Sequence, residues 1–305
     1  MKKITATVIA LGLLSVSTVH AADKLRVGVT LHPYYSWVAN IAGDAVEIVP
    51  AVPPGSDPHS YQPQPQDIAR LAKLDAIVVN GSGHDDFIEP MLKAANSTHL
   101  VRIEPNAGLP LIPVQQKHYA FEEKVDKGQV AYNSHTFVSI NASIQQIRAV
   151  ADALAKLRPE DAKQFQSNAR AYVKKLRTML AAALARIEKV KGQHPAIATV
   201  HDGYAYLFQD LGLEVTAVVQ PRHGIEPSAR QLADTIKRVK EAKVAILFTE
   251  ADYAKKYTDA IYEETGCRLY ALSHISGGGY TADRFEKDMR RNVDTIARAL
   301  EEAAR

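Results

Sequence analysis

Three histidines, His59, His135 and His201, stand far apart in the 305-residue chain, each in a polar or turn-forming stretch beside an apolar run. Imidazole is the commonest metal-binding side chain, and three nitrogens make up most of the four-coordinate shell that Zn2+ prefers. Residues scattered in this way can share an ion only if separate loops bring them together. His201 directly follows the apolar run 196–200, and His59 follows a turn built from Pro53, Pro54, Gly55 and Pro58. Ligands bind at the carboxyl ends of strands in open α/β sheets, so both positions suit a site. An open fourth position would also permit zinc-dependent hydrolysis, with Glu250 or Asp202 as general base. The chain has no HExxH pair and no nucleophile elbow, and ligands from separate lobes suit reversible capture better than turnover.

The elements that must carry these residues repeat along the chain. Strand-like runs at 25–30, 46–52, 76–79 and 100–103 alternate with helical stretches through Trp37 and Ile41, at 67–74 and at 87–95. A second set at 196–200, 215–219, 244–248 and 269–272 alternates with helical stretches at 204–211, 228–241 and 252–264, before a last helix at 284–304. Between the sets, Ile144, Ile147, Val150, Leu154 and Leu157 recur at helical spacing, with Ser143 and Gln146 placed as a capping box. Pro159 then opens a run to about 190, closed by Gly192, that would be on the order of 45 Å long. The expected fold is α/β: two lobes, each with a mainly parallel sheet flanked by helices, joined by one long rigid helix. The boundaries are a signal peptide at 1–21, a metal-binding lobe at 22–158, the connecting helix at 159–191 and a second metal-binding lobe at 192–305.

Lys2 and Lys3, the apolar run 8–16 and Val19-His20-Ala21 read as a cleavable secretory signal, too short to span a bilayer. No cysteine stands at the cleavage point to take a lipid, so the expected compartment is the periplasm without an anchor. Cys267 is the only cysteine, which excludes an intrachain disulfide and leaves stability to an apolar core. Roughly 280 mature residues exceed one compact core, which favours two domains. The formal charge of +3 includes the two signal lysines, and no basic run suggests nucleic acid.

The run from Val52 to His59, with Tyr61, Pro63, Asp67 and Leu71 after it, is similar to the signature of the ZnuA/TroA-like zinc and manganese solute-binding proteins of bacterial ABC importers. Asn80-Gly81-Ser82-Gly83, His201-Asp202-Gly203-Tyr204, Gly224-Ile225-Glu226-Pro227-Ser228 and Met289-Arg290-Arg291-Asn292 resemble the same family in order along the chain. The resemblance implies one divalent metal in an interlobe cleft, with His59 and His135 from the first lobe and His201 from the second. It also implies Zn2+ as transported cargo, an inner-membrane permease with a cytoplasmic ATPase as partners, a monomer, and no enzymatic activity. Manganese or iron uptake by the same site is the alternative. Three imidazoles suit Zn2+ better than Mn2+, which favours oxygen donors.

The chain departs from that pattern where the family usually has an Asp after the last strand, because Ser273 stands there. His274, Glu250 or a water could complete the shell, and His274 could equally be an exposed loop residue. The residues following the second histidine are altered to Phe137-Val138-Ser139. The loop 114–131 carries only His118, Glu122, Glu123 and Asp126 among its lysines, and reads as a surface lid at most. His84-Asp85-Asp86 is expected to be a solvated helix start, and Gly277-Gly278-Gly279 a flexible turn. His32, His99, His194 and His223 default to structural or surface roles.

Overall fold

The apolar runs form two four-stranded parallel sheets. The computed structural model describes residues 24–56, 61–97, 99–114, 132–190, 192, 195–219, 228–251 and 255–305. His59, the signal at 1–21, and His118, His194 and His223 lie outside these residues. The first sheet contains β1 (Leu25–Val29), β2 (Val46–Pro50), β3 (Ala76–Val78) and β4 (Val101–Ile103), in the order β2-β1-β3-β4. The second contains β5 (Ile197–Thr199), β6 (Ala217–Val218), β7 (Ile246–Glu250) and β8 (Arg268–Leu272), in the order β6-β5-β7-β8. The same strand order recurs, so the two halves share a topological plan.

Parallel strands need crossovers, and helices supply them. These are α1 (His32–Ala42), α2 (Pro65–Leu71) and α3 (Ile88–Ala94) in the first half, and α6 (Ala205–Asp210), α7 (Ala229–Glu241) and α8 (Lys255–Thr265) in the second. With helices on both faces the inner strands β3 and β7 are buried along their whole length. Local chemistry sets the helix starts: a proline in the first turn of α1, and a reciprocal Ser228–Gln231 capping box on α7.

Between the sheets run α4 (Ile140–Leu157) and α5 (Ala162–Glu188), and the chain ends in α9 (Arg284–Ala303). Ser139, not Ser143, caps α4 by accepting from the Ala142 N–H at 2.9 Å. The apolar stripe starts one turn earlier than expected, at Ile140, which draws Ser143 and Gln146 into the buried helix interior. Helix α5 has 27 residues and is about 40 Å long. It is no free rod, because Phe165, Tyr172, Val173, Leu176 and Met179 are buried along it. One apolar cluster runs from β1 and α1 through α4, α5 and α9 to β7, while separate clusters cover the far face of each sheet. Arg186 of α5 also pairs with Glu301 and Asp294 of α9. Partly exposed pairs contribute about 1 kcal/mol at most, so apolar packing dominates this joint. No helix among the described residues is long and apolar enough to cross a membrane.

The segment between β8 and α9 docks on the first half of the chain. The His32 ring stacks on Tyr280 with centroids 4.1 Å apart and planes 4° from parallel. Its Nε2 lies 3.1 Å from the Gly278 carbonyl oxygen and donates to it. The Gly55 N–H donates to that same oxygen, Ser36 Oγ donates to the Thr281 carbonyl, and Tyr280 donates to the Val52 carbonyl. Trp37 meets Phe285 edge-on at 5.3 Å. Gly277-Gly278-Gly279 is therefore part of a packed joint, and His32 is structural and 2 % exposed.

Burial pushes the His32 imidazole down from 6.5 to about 4, against the opposing pull of the Gly278 carbonyl. On acidification the unfolded chain takes up this proton first. Stability from neutral His32 is thus complete above pH 6.5 and is lost as pH falls towards 4, by on the order of 3 kcal/mol. Denaturant unfolding of metal-free protein across this range should show a shallower decline in His32→Phe, which keeps the stack but cannot take a proton. Parallel curves would remove His32 as the source.

Candidate metal centre

Three loops deliver three imidazoles to one point. His201 lies two residues past the end of β5, and His274 two residues past the end of β8. Both therefore stand at the carboxyl edge of the second sheet, with Glu250 at the end of β7 between them. His135 arrives from the other half, immediately before a 3-10 turn at Thr136–Val138. All three are buried, and one ligand nitrogen of each lies within 4.8 Å of the others. Their ring centroids are 4.7 Å apart for His135 and His201, 4.9 Å for His135 and His274, and 5.1 Å for His201 and His274. An imidazole bound at about 2 Å has its centroid roughly 3 Å from the ion, so two rings sharing an ion sit roughly 4.5–6.5 Å apart. The observed spacing fits a shared ion.

Each ring is oriented through its Nδ1, the arrangement by which outer partners fix a ligating histidine. Nδ1 of His135 lies 2.9 Å from Asn133 Oδ1, and Nδ1 of His201 lies 3.1 Å from Glu250 Oε1. Both oxygens can only accept, so each Nδ1 carries the hydrogen and Nε2 keeps its lone pair for a ligand. His274 Nδ1 is held at 2.6 Å by the Ser276 hydroxyl. Between His201 and His274 stands Gly203, where an added Cβ would come 2.8 Å from the His201 ring and 2.9 Å from His274 Nε2. The missing side chain is what lets the two rings share that space.

The loop carrying His135 is tied into both halves. Asn133 Nδ2 donates to the Asp202 carbonyl at 2.8 Å and to its carboxylate at 3.1 Å, and Tyr206 donates to the Asn133 carbonyl at 2.8 Å. On the other side, Asn106 joins the Asn80 carbonyl to Thr136 and Gln146 in a buried polar network. Thr30 Oγ1 and the N–H groups of Asn80 and Gly81 all donate to the Asp85 carboxylate. Burial pushes that carboxyl up, and these three donors oppose the rise.

Of the residues singled out in the sequence, His135, His201 and His274 meet here, whereas His59 lies outside the described residues. His274 is 7 % exposed, which removes the surface reading for it. The Ser273 hydroxyl accepts from the Ile275 N–H, and Ile275 adopts φ 64°, a conformation rare for a β-branched residue. Glu250 holds His201 from behind, and Asp202 is engaged with Asn133. His84 was expected to be solvated, yet it is 3 % exposed and Asp85 2 %. Its ring lies 4.9 Å from His135 and 5.9 Å from His274. Asp85 turns inward to the Thr30 hydroxyl, and no local signal in the sequence shows that.

Gly203→Ala should weaken Zn2+ binding at least about tenfold while leaving metal-free thermal unfolding within a few degrees of the parent. Calorimetric titration beside a melting curve checks this. Equal affinities would mean that the rings do not need the space.

A family described as ZnuA, zinc-uptake complex component A, periplasmic, matches residues 27–299. The zinc-binding lipoprotein AdcA of Streptococcus pneumoniae is 25% identical over 280 residues, covering 90% of this chain and 56% of its own. The chain thus spans about half the length of the curated relatives it matches. The solved structure of the SBP FpvC from Pseudomonas aeruginosa in complex with Mn2+ is 46% identical, with a TM-score of 0.82 over 92% of this chain and 99% of its own. An FpvC structure in complex with Ni2+ is 47% identical, with a TM-score of 0.81 over 92% and 97%. The sheets and the long helix fit this assignment, and the chain belongs to the ZnuA family, described as zinc-uptake complex component A, periplasmic.

Proposed function

We propose that this protein captures a divalent transition metal in the periplasm, with Zn2+ as the cargo, and hands it to an ABC permease driven by a cytoplasmic ATPase. The observation that carries the reading is the convergence of His135, His201 and His274, two of them from one sheet edge and one from the opposite half. His59 is the fourth ligand in this proposal. Gly55 and Ser56, just before it, line a cavity of about 350 Å3 together with Ser273 and His274. Nitrogen donors without a carboxylate in the described trio favour Zn2+ over Mn2+. AdcA, a relative, is named as zinc-binding. In this reading the protein acts as a monomer.

A second reading, a carrier for several first-row ions including Mn2+ or Fe2+, draws on the FpvC structures in complex with Mn2+ and Ni2+. Hydrolysis is disfavoured, because both candidate bases, Glu250 and Asp202, are already engaged in holding the site.

Metal-titrated melting should show a Zn2+ stabilisation of about 3 kcal/mol at a hundredfold excess over Kd, falling close to nothing in His201→Ala. An undiminished response in the variant would remove His201 from the site, and a larger shift with Mn2+ would favour the second reading. Ligation needs neutral imidazoles, so affinity should also fall as pH is lowered. Titrations at stepped pH test this, and a flat profile would contradict a histidine shell.

A further inference from the structure

His84 arrives from a loop that the proposed ligand set does not use. The Asp85 contacts with Thr30, Asn80 and Gly81 pin the turn after β3, and this turn presents the ring of His84 to the cluster. Its Nδ1 lies 3.4 Å from the Ser134 hydroxyl, its Nε2 is buried, and the ring stands edge-on to His135. The planes of His84 and His274 lie within 19° of parallel, with centroids 5.9 Å apart. Both centroid distances fall in the range open to two imidazoles on one ion, and since the nitrogens of His84 lie outside the group formed by His135, His201 and His274, its ring must move towards them to ligate. An Nδ1 held by a neighbour is also the pattern seen at the three converging histidines. A residue that only filled space beside Phe137, whose ring is 4.9 Å away, would be better apolar, since an imidazole carries the cost of burying two polar nitrogens.

We infer that His84 is an additional imidazole ligand of this centre, recruited by ions that take five or six ligands and left aside by four-coordinate Zn2+. The inference rests on the reading of His135, His201 and His274 as ligands. Zn2+ is satisfied by four donors, whereas Ni2+, Co2+ and Fe2+ accept further nitrogens in larger shells. His84 would then set metal range, letting one pocket hold both classes.

Cobalt spectroscopy reads the shell directly, because four-coordinate Co2+ absorbs visible light much more strongly than five- or six-coordinate Co2+. The wild-type protein should give weak bands, and His84→Gln and His84→Phe should each convert them to the intense four-coordinate pattern. Ni2+ affinity should fall at least about tenfold more than Zn2+ affinity in both variants. Imidazole nitrogen NMR of the wild-type protein with Cd2+, a diamagnetic ion that takes up to six ligands, should shift the His84 Nε2 signal even if a variant folds poorly. Cobalt bands unchanged by either variant, or an unshifted His84 signal, would overturn the inference while a response abolished in His201→Ala left the centre standing. A wild-type protein that binds no metal would overturn both.

Discussion

Rings that converge on an ion must each be prevented from turning away, and here the restraint is applied at Nδ1. Asn133, Glu250 and Ser276 hold His135, His201 and His274 respectively. Without these partners a buried imidazole could rotate or change tautomer, and three flexible rings would lose much of their affinity to the entropy of ordering. The partners are in turn fixed. Glu250 ends an internal strand, and Asn133 is locked between Asp202 and the Tyr206 hydroxyl.

The second sheet supplies two of the rings and Glu250 from the ends of three adjacent strands, so their spacing follows from strand separation. His135 has no such frame and depends on polar contacts to both halves of the chain. The loop of His274 is doubly constrained, by Asn292 of α9 and by the docking of the following segment onto α1. A continuous apolar cluster through α4, α5 and α9 keeps the two halves in register. That cluster is large, whereas the partly exposed ion pairs along α5 are weak, so packing decides the geometry of the site.

Metal choice then becomes a question of donor number and type. Among the described residues the trio is all imidazole, which favours borderline ions, and the Glu250 carboxylate stands behind His201, where it orients the ring. Gly203 matters for the same reason: the rings of His201 and His274 approach each other only because no Cβ stands between them.

Sequence alone determined a good deal. Short apolar runs and helical stripes pointed to the two sets of strands and the long helix, because those patterns are local and set by burial on one or two faces. The motif residues gave the family, and His135 and His201 were legible from their places beside strand and turn. Tertiary structure alone decided the rest. Whether His274 faced solvent or the site turned on contacts with α9 and α1 far from it in the chain. The expectation of a solvated helix start at His84 rested on adjacent residues rarely sharing one ion, while its burial depended on Thr30, 54 residues away from it, capturing Asp85. Periodicity is written between neighbours, but convergence and burial belong to segments that meet only when the chain packs.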